Sequence, residues 1–176
     1  MFVDESGVTR SMTRRYGRAP KGERVYDAVP LGHWEGTTLI GALALDCVRA
    51  SFTVDAATDT DIFRVFVEQA LVPALRPGDV VVWDNLPAHK APELKVQIEA
   101  VRATLLPLPP YSPDFNPIEQ CWSKVKECLR SAQARTTEAL QQAIAHAFAA
   151  VTASAPASGS MPPRTPTSFN CLWSKF

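Results

Sequence analysis

The stretch DVVVWDN, residues 79–85, is a short and almost uninterrupted apolar run. Runs of this kind are typical of strands buried on both faces in a parallel sheet. The flanking segments have a helical period instead: apolar residues recur at steps of three and four over 59–75, with Asp59 or Thr60 placed to cap the start, and KAPELKVQIEAVR (90–102) predicts a second helix. A strand between two helices indicates an α/β domain.

The chain before residue 59 predicts strands. MFVD (1–4) is expected to be a strand that stops at DESG, a turn signal. TTLIGALALDCV (37–48) has the branched apolar residues of a buried strand, and RASFTV (49–54) alternates and is expected to pair with it. Between these strands, the glycines and prolines of 10–24 predict short extended pieces that form a hairpin. Strands followed by alternating helices and strands make this an α/β domain with a mixed sheet.

A proline-rich loop after the central strand leads to a further helix. ATLLPLPP (103–110) predicts a strand that its prolines end, and PPYSPDFNPIEQCW (109–122) then delivers the chain to a helix at about 117–130. Asn116 is a good N-cap, and Pro117 suits the first helical position. One stripe of this helix is apolar and expected in the core: Ile118, Trp122, Val125 and Leu129. The adjacent stripe is expected at the edge of the core: Glu119, Ser123, Lys126 and Arg130.

The chain divides into one domain and a tail. A last helix is expected over 137–151, with its apolar residues on one face. After Val151 the sequence TASAPASGSMPPRTPTS has the composition of a linker or a disordered tail. We therefore expect a folded domain at 1–151 and a Pro/Ser/Ala-rich tail, disordered or frame-shifted, at 152–176.

The composition excludes several classes of protein. The chain has 176 residues, 46% hydrophobic and 20% charged, which suits one folded domain. Its 18 basic and 18 acidic residues balance, which argues against a protein that coats nucleic acid through bulk charge but leaves room for a local basic patch. No apolar run approaches the ~18 residues of a membrane-spanning helix, and the N-terminus lacks the pattern of a signal peptide. The four cysteines form no C-x-x-C pair, so we expect no zinc site.

Three acids are expected at one rim of the sheet. Asp4 ends the first predicted strand, Asp84 ends the strand at 79–85, and Glu119 lies in the first turn of the helix after the next strand. Because ligands gather at the carboxyl ends of strands in an open α/β sheet, these carboxylates can meet. Three carboxylates suit one or two Mg²⁺ ions. Two ions about 4 Å apart can activate a nucleophile and stabilise the leaving oxygen of a phosphodiester.

Each acid also has an interpretation without chemistry. Asp4 and Asp84 precede residues typical of turns and could serve only those turns. Glu119 falls three residues after Asn116, as in a capping box, in which its carboxylate would reach back to the Asn116 backbone. Asp114, which precedes the helix, is expected to serve the turn.

Three blocks of the chain resemble the catalytic blocks of DDE transposases of the mariner superfamily, in particular the bacterial insertion sequence 630 branch: FVDESG (2–7), VVWDNLPAHK (81–90) and PPYSPDFNPIEQCWSKVK (109–126). The 34 residues between Asp84 and Glu119 match the spacing that this group uses between its second and third acids. RRYGRAPKG (14–22) and GHWEGTTLIGAL (32–43) also resemble family segments.

The resemblance implies a ribonuclease-H-like fold, a mixed sheet flanked by helices. Asp4 and Asp84 would lie on adjacent strands and Glu119 on a following helix, and the three would hold two Mg²⁺ ions that Mn²⁺ can replace. The implied reaction is cleavage of double-stranded DNA at transposon ends, followed by attack of a DNA 3′-hydroxyl on target DNA. The expected assembly is a homodimer on DNA, associated with the nucleoid in a bacterial cytoplasm and with no membrane partner.

Further residues are candidates for supporting roles. His89 is a candidate donor near the scissile phosphate, or an ordinary core or surface histidine, and Asn116 is a candidate neighbour of the metal. Contacts with DNA phosphates need only Lys or Arg in a stripe, and the alternative is a solvated basic face. The candidates for these contacts are Arg14, Arg15, Arg18, Lys21, Lys90, Lys126 and Arg130.

Both ends of the chain depart from the family pattern. Members carry helix-turn-helix domains before the catalytic one, so we expect that domain to be separate or missing. After about residue 151 the family continues in helix, where this chain turns to prolines and serines. We therefore expect either the catalytic half of a split transposase or an inactive remnant that at most binds DNA or intact transposase as an inhibitor. A nuclease for RNA–DNA hybrids would fit the metal site but not the 34-residue spacing.

Overall fold

The computed structural model describes residues 1–32, 36–45, 47–110 and 112–153. Five strands are found there: β1 Phe2–Thr9, β2 Gly36–Leu43, β3 Val48–Val54, β4 Val80–Trp83 and β5 Thr104–Pro107. The α-helices are α1 Thr60–Phe66, α2 Val72–Ala74, α3 Pro92–Ala100, α4 Ile118–Ala132 and α5 Thr137–Ala153. A π-helical segment, Val67–Leu71, joins α1 to α2. Apart from the end of α5, the predicted tail at 152–176 lies outside the described residues.

The five strands form one mixed sheet in the order β3-β2-β1-β4-β5. The first three strands pair antiparallel, and β4 runs parallel to both β1 and β5. The predicted pairing of 37–48 with 49–54 is therefore confirmed, as is the parallel strand at 79–85. The helix predicted over 59–75 is also present, and the Asp59 side chain caps it by accepting a 2.8 Å hydrogen bond from the Ile62 amide.

Helices cover the two faces of the sheet, and each face has its own hydrophobic core. The first core joins the sheet to α1, the π-helical segment and α3, and includes Val3, Ile40, Phe63, Phe66, Leu71, Trp83, Leu94 and Ile98. The second joins it to α4 and α5, and includes Val8, Leu39, Ile118, Trp122, Val125, Leu129, Ile144 and Phe148. Since side chains alternate along a strand, neighbours on β1 face different cores. No helix in the described ranges is long and apolar enough to cross a membrane.

The first strand does not stop at DESG, and that prediction was wrong. β1 continues to Thr9, and every residue from Asp4 to Thr9 pairs with β2, ending at Gly36. A continuous antiparallel partner supplies the ladder for these residues and overrides the turn preference of the local sequence. Asp4 is consequently the third residue of an eight-residue strand, and its backbone pairs with Gly41 of β2.

The hairpin predicted over 10–24 is also wrong. The described residues between β1 and β2 contain no strand, and 14–29 are all exposed. This segment has no alternating apolar residues to bury against the sheet, so nothing favours a paired conformation over solvation. Arg135 ties its start to the rest of the fold, because its Nη1 donates hydrogen bonds of 2.7 and 2.9 Å to the carbonyl oxygens of Arg10 and Met12.

Candidate active site

Asp4 and Asp84 line the same cleft, and they come from two strands that pair in parallel. β1 pairs with β4 so that Phe2 lies opposite Val82. Asp4 is two residues beyond Phe2 in β1, and Asp84 follows β4 directly, two residues beyond Val82, so both acids lie towards the same end of the paired strands. The structure thus brings together the acids that the sequence predicted on adjacent strands.

The loop after β5 and the start of α4 bring in Glu119. The Leu108 amide donates a 2.8 Å hydrogen bond to the carbonyl of Trp83, which fixes the chain as it leaves β5. A short 3₁₀ turn, Pro113–Phe115, precedes α4, and Ile118 and Trp122 anchor the helix in the second core. Glu119 is exposed in the first turn of α4, as predicted, and faces the same cleft as the two aspartates.

The predicted cap at Asn116 is not formed. The capping residue of α4 is Pro117, and no side chain makes a capping hydrogen bond. Asn116 is buried in the wall of the cleft, and its Oδ1 has no hydrogen-bond partner. Its carbonyl oxygen accepts the Glu119 amide at 3.1 Å instead. The Asn116 half of the capping box is therefore absent, and its Oδ1 is left as a buried oxygen without a partner in the wall of the cleft.

The three acids line one open cleft of about 430 Å³. The lining combines polar and apolar side chains, most of them from the loops after β4 and β5 and from the start of α4. The lining residues are Asp4, Asp84, Asn85, Leu86, Lys90, Leu108, Pro109, Pro110, Ser112, Asn116 and Glu119. The cleft therefore lies at the carboxyl end of β4, where open α/β sheets bind ligands.

Asp4 is the most deeply buried acid of the cleft, with 8% of its surface exposed. Its Oδ2 accepts a 3.0 Å hydrogen bond from the indole nitrogen of Trp122. Burial, followed by the charges of Glu119 and Glu5, raises the pKa of Asp4 to about 7, against the opposing effect of hydrogen bonds from the Glu5 backbone and Trp122. Without a cation nearby, Asp4 is therefore about half protonated at neutral pH.

His89 lies behind the cleft and connects two acids. Its Nδ1 is 2.7 Å from Oδ1 of Asp84, and its Nε2 is 2.9 Å from Oε1 of Glu5. Burial by itself lowers the pKa of His89, but Glu5 and Asp84 outweigh it and leave the pKa above its usual value. The ring is buried against Phe63, at 4.1 Å between centroids, and does not line the cleft. The structure thus directs His89 at Asp84 and Glu5 rather than at the space where a phosphate would bind.

The donor set fits a hard divalent cation. In the part of the chain that the structure describes, no three His, Cys, Asp or Glu side chains are already grouped to hold a metal ion. The cleft nevertheless gathers the carboxylates of Asp4, Asp84 and Glu119 with the partnerless amide oxygen of Asn116. Oxygen donors of this type are those that Mg²⁺ and Mn²⁺ prefer. A cation among them would also supply the positive charge that the buried Asp4 lacks.

The basic candidates fall into three groups. Lys90 lines the cleft and is exposed. Lys126 and Arg130 lie half-buried on α4, at the edge of the second core, as their stripe predicts. The other four are exposed on the segment between β1 and β2 and do not line the cleft: Arg14, Arg15, Arg18 and Lys21.

The sequence did not point to Glu5, and it assigned Trp122 to the core alone. Glu5 follows Asp4 directly in a strand, so alternation sends it to the opposite face, where His89 is found. Trp122 does belong to the core, but its nitrogen also reaches Asp4. A strand predicted through DESG would have pointed to Glu5, because neighbouring residues of a strand, here Asp4 and Glu5, face opposite sides of the sheet.

Comparison with known proteins identifies the family. The model of the "DDE superfamily endonuclease" family matches residues 1–141. The chain is also 28% identical over 147 residues to the transposable element Tcb2 transposase of Caenorhabditis briggsae, an alignment that covers 76% of this chain and 53% of that protein. The region that the family model matches, residues 1–141, contains all three acids of the cleft.

Solved structures show the same fold. The Mos1 transposase paired-end complex with left transposon end has a TM-score of 0.67 at 19% identity, and the Mos1 mariner paired end complex with Mn has 0.68 at 19%. Each match covers 85% of this chain and 47% of the Mos1 chain, so this chain spans about half the length of the relatives that it matches. The mixed five-stranded sheet with flanking helices is the ribonuclease-H-like fold that the sequence predicted. The chain belongs to the DDE endonuclease superfamily.

Proposed function

We propose that this chain is the catalytic domain of an insertion-sequence transposase, which cleaves double-stranded DNA at transposon ends and joins the freed 3′ ends to target DNA. One observation carries the proposal: Asp4, Asp84 and Glu119, which are far apart in the sequence, line one cleft near the ends of the parallel strands β1 and β4. The family match and the likeness to Mos1 complexes that hold a transposon end or Mn support the same reaction.

The three acids would hold the metal ions, with the Asn116 amide oxygen beside them. Two bound Mg²⁺ ions, or Mn²⁺ in their place, would supply a strong nucleophile at neutral pH and stabilise the leaving oxygen. Trp122 donates a hydrogen bond to the carboxylate of Asp4, and His89 forms an ion pair with the carboxylate of Asp84, so these two side chains would orient the acids.

The basic residues would bind the phosphates of DNA. Lys90, which lines the cleft, would meet a phosphate near the scissile bond. The exposed residues Arg14, Arg15, Arg18 and Lys21 would follow the DNA outside the cleft, and Lys126 and Arg130 would contact it along α4. Such contacts position DNA without reading its sequence.

The finer assignment rests on the sequence blocks. The 34-residue spacing between Asp84 and Glu119 favours the bacterial insertion sequence 630 branch, and with it a place at the nucleoid in the cytoplasm. Residues 1–151 would be the catalytic domain, acting as a homodimer on DNA. Recognition of specific transposon ends would come from a helix-turn-helix domain.

DNA cleavage by the purified protein tests the proposal. The substrate is a supercoiled plasmid that carries the ends of the element flanking this gene, incubated with Mg²⁺ or Mn²⁺. We expect the parent to nick the plasmid, and the variants Asp84→Asn and Glu119→Gln to fall to background, because each loses a metal-binding carboxylate while it keeps its size. Asp114→Asn is the matched control: Asp114 is an exposed acid of the same loop that does not line the cleft, and this variant should cleave like the parent.

Each other outcome decides between alternatives. Cleavage by Asp84→Asn at the rate of the parent would show that the metal assignment is wrong. A parent that binds DNA but cleaves nothing with either metal would identify an inactive remnant. Preferential cleavage of an RNA–DNA hybrid over the DNA duplex would indicate a different nuclease on the same fold.

A further inference from the structure

We propose that Glu5 is a positioning residue for the metal site: it fixes the ring of His89, and His89 fixes the carboxylate of Asp84. The inference rests on the proposed function, since it assigns a structural support to one of the proposed metal ligands. It adds a residue that faces away from the cleft and that the cleft itself does not reveal.

The geometry holds the His89 ring at both ends. Nε2 lies 2.9 Å from Glu5 Oε1, and Nδ1 lies 2.7 Å from Asp84 Oδ1. The amide of Leu86 donates to the same Asp84 oxygen at 3.0 Å. Nδ1 of His89 is also hydrogen-bonded to the carbonyl oxygen of Asp84 at 3.4 Å, so the ring restrains both the backbone and the carboxylate of Asp84. His89 packs on Phe63, so the ring has no room to turn.

The arrangement links the two strands that carry the aspartates. Glu5 follows Asp4 on β1 but points to the opposite face, and His89 lies in the 3₁₀ turn Pro87–Lys90 just after β4. A change in the spacing between β1 and β4 would therefore move the His89 ring relative to Asp84. It would also change the distance between Asp84 and Asp4. Groups that orient metal ligands in this way commonly contribute about 10- to 100-fold to metal affinity.

A contribution to fold stability alone does not explain why an acid is buried at Glu5. Its side chain is 11% exposed, and its Oε2 is buried without a hydrogen-bond partner. An acid that only stabilised the fold would be expected to satisfy both oxygens, because a buried partnerless oxygen costs about 1–3 kcal/mol. The presence of an acid at Glu5 is explained if its Oε1 is needed to orient the ring of His89.

Binding of Mn²⁺ to the purified full chain, followed by electron paramagnetic resonance of the free ion, tests the role. The main variant is Glu5→Leu/His89→Phe, which keeps the ring against Phe63 and replaces both polar partners, so its stability should change little. We expect it to bind Mn²⁺ about 10- to 100-fold more weakly than the parent. Glu5→Gln keeps an oxygen acceptor for Nε2 and should bind Mn²⁺ with nearly the parent's affinity.

The controls separate positioning from folding. Glu68→Leu/Gln97→Leu removes another hydrogen-bonded pair, of 2.8 Å, away from the cleft, and should leave Mn²⁺ affinity unchanged. Melting temperatures of all variants are measured without metal, and Glu5→Ala replaces the main variant if that variant does not fold. A variant that melts lower but binds Mn²⁺ like the parent would overturn the positioning role.

Failure of this inference differs from failure of the proposed function. If Asp84→Asn loses Mn²⁺ binding while the Glu5 and His89 variants keep it, Glu5 has no positioning role although the metal site stands. If Asp84→Asn itself binds Mn²⁺ like the parent, the metal site is wrong, and the positioning role is refuted with it.

Discussion

The indole nitrogen of Trp122 in α4 donates a 3.0 Å hydrogen bond to Oδ2 of Asp4 in β1, and the two residues are 118 positions apart in the chain. Both are almost fully buried, and the Trp122 ring packs on Phe148 from α5. The bond joins the second hydrophobic core to the cleft, so the packing of α4 sets the orientation of an acid in the candidate active site.

Replacing Trp122 by Phe should weaken both the fold and the metal site. The phenyl ring preserves most of the packing, but Asp4 loses a donor while it remains buried, which costs about 1–3 kcal/mol of unfolding free energy. Since the Trp122 bond lowers the pKa of Asp4, the variant should bind Mn²⁺ more weakly at pH 7 than the parent does. Urea unfolding and Mn²⁺ titration measure the two effects, and an unchanged Mn²⁺ affinity would show that the bond serves packing alone.

The stability of the metal-free protein should fall as the pH rises from about 3.8 to about 7, through the effect of Asp4. The folded state keeps the Asp4 proton to a higher pH than the unfolded state, so unfolding releases a proton in this window and the unfolding free energy decreases by up to about 4 kcal/mol. Above pH 7 this contribution is constant.

The variant Asp4→Asn isolates the effect, because it keeps the shape and cannot titrate. Urea unfolding of both proteins in a chelator should show the parent losing stability relative to Asp4→Asn across the window. A constant difference between the two proteins at all pH values would contradict the raised pKa. Saturating Mg²⁺ should restore the parent at pH 7 but not Asp4→Asn, since a ligand that binds only the folded state stabilises it.

Replacing Gly41 by Ala should destabilise the protein by about 1–3 kcal/mol through overpacking. A Cβ atom at Gly41, which pairs with Asp4 across the strands, would lie 2.8 Å from Cη2 and 3.2 Å from Cζ2 of the buried Trp122 ring. Gly7→Ala on β1 is the matched control, because a Cβ atom there meets nothing within 4 Å. Equal unfolding free energies for the two variants would show that the Trp122 ring can move aside at no cost.

Replacing Gln133 by Gly should stabilise the protein by about 0.5–1 kcal/mol. Gln133 ends α4 in the left-handed conformation, at φ 50° and ψ 41°, where a Cβ atom is unfavourable and Gly is the usual residue. Glu127→Gly, at an exposed position inside α4, should instead lose about 1 kcal/mol, because glycine disfavours a regular helix. Thermal unfolding of both variants checks that the two signs are opposite.

Removing the basic side chains of the segment between β1 and β2 should reduce the salt dependence of DNA binding. For the variant with Ala at Arg14, Arg15, Arg18 and Lys21, the slope of log K against log salt should fall by about 0.9 for each phosphate that the protein no longer neutralises. Arg64→Ala/Lys95→Ala removes the charges of a half-buried residue on α1 and an exposed residue on α3 and serves as the control. Fluorescence anisotropy at several salt concentrations gives the slopes, and equal slopes would leave the segment as a solvated face.

The sequence by itself determined the layout of this protein. Local patterns suffice for it: the apolar run of β4, the helical period of α4, and the three blocks with 34 residues between Asp84 and Glu119 identified the α/β class, the family and the acids. Each of these signals lies within a short window, where periodicity and spacing reflect one face of one element. The turn predicted at DESG and the hairpin predicted over 10–24 were wrong because turn residues describe only what a segment prefers when it has no partner.

Only the tertiary structure decided how the acids are held. Trp122 reaches Asp4 across 118 positions, and His89 reaches Glu5 across 84, so no local window contains either pair. The face on which Glu5 lies depends on β1 continuing beside β2, and the burial of Asn116 depends on the loop that closes the cleft. Sequence spacing therefore identifies which carboxylates are present, whereas strand register and packing decide their orientation, their burial and their affinity for protons.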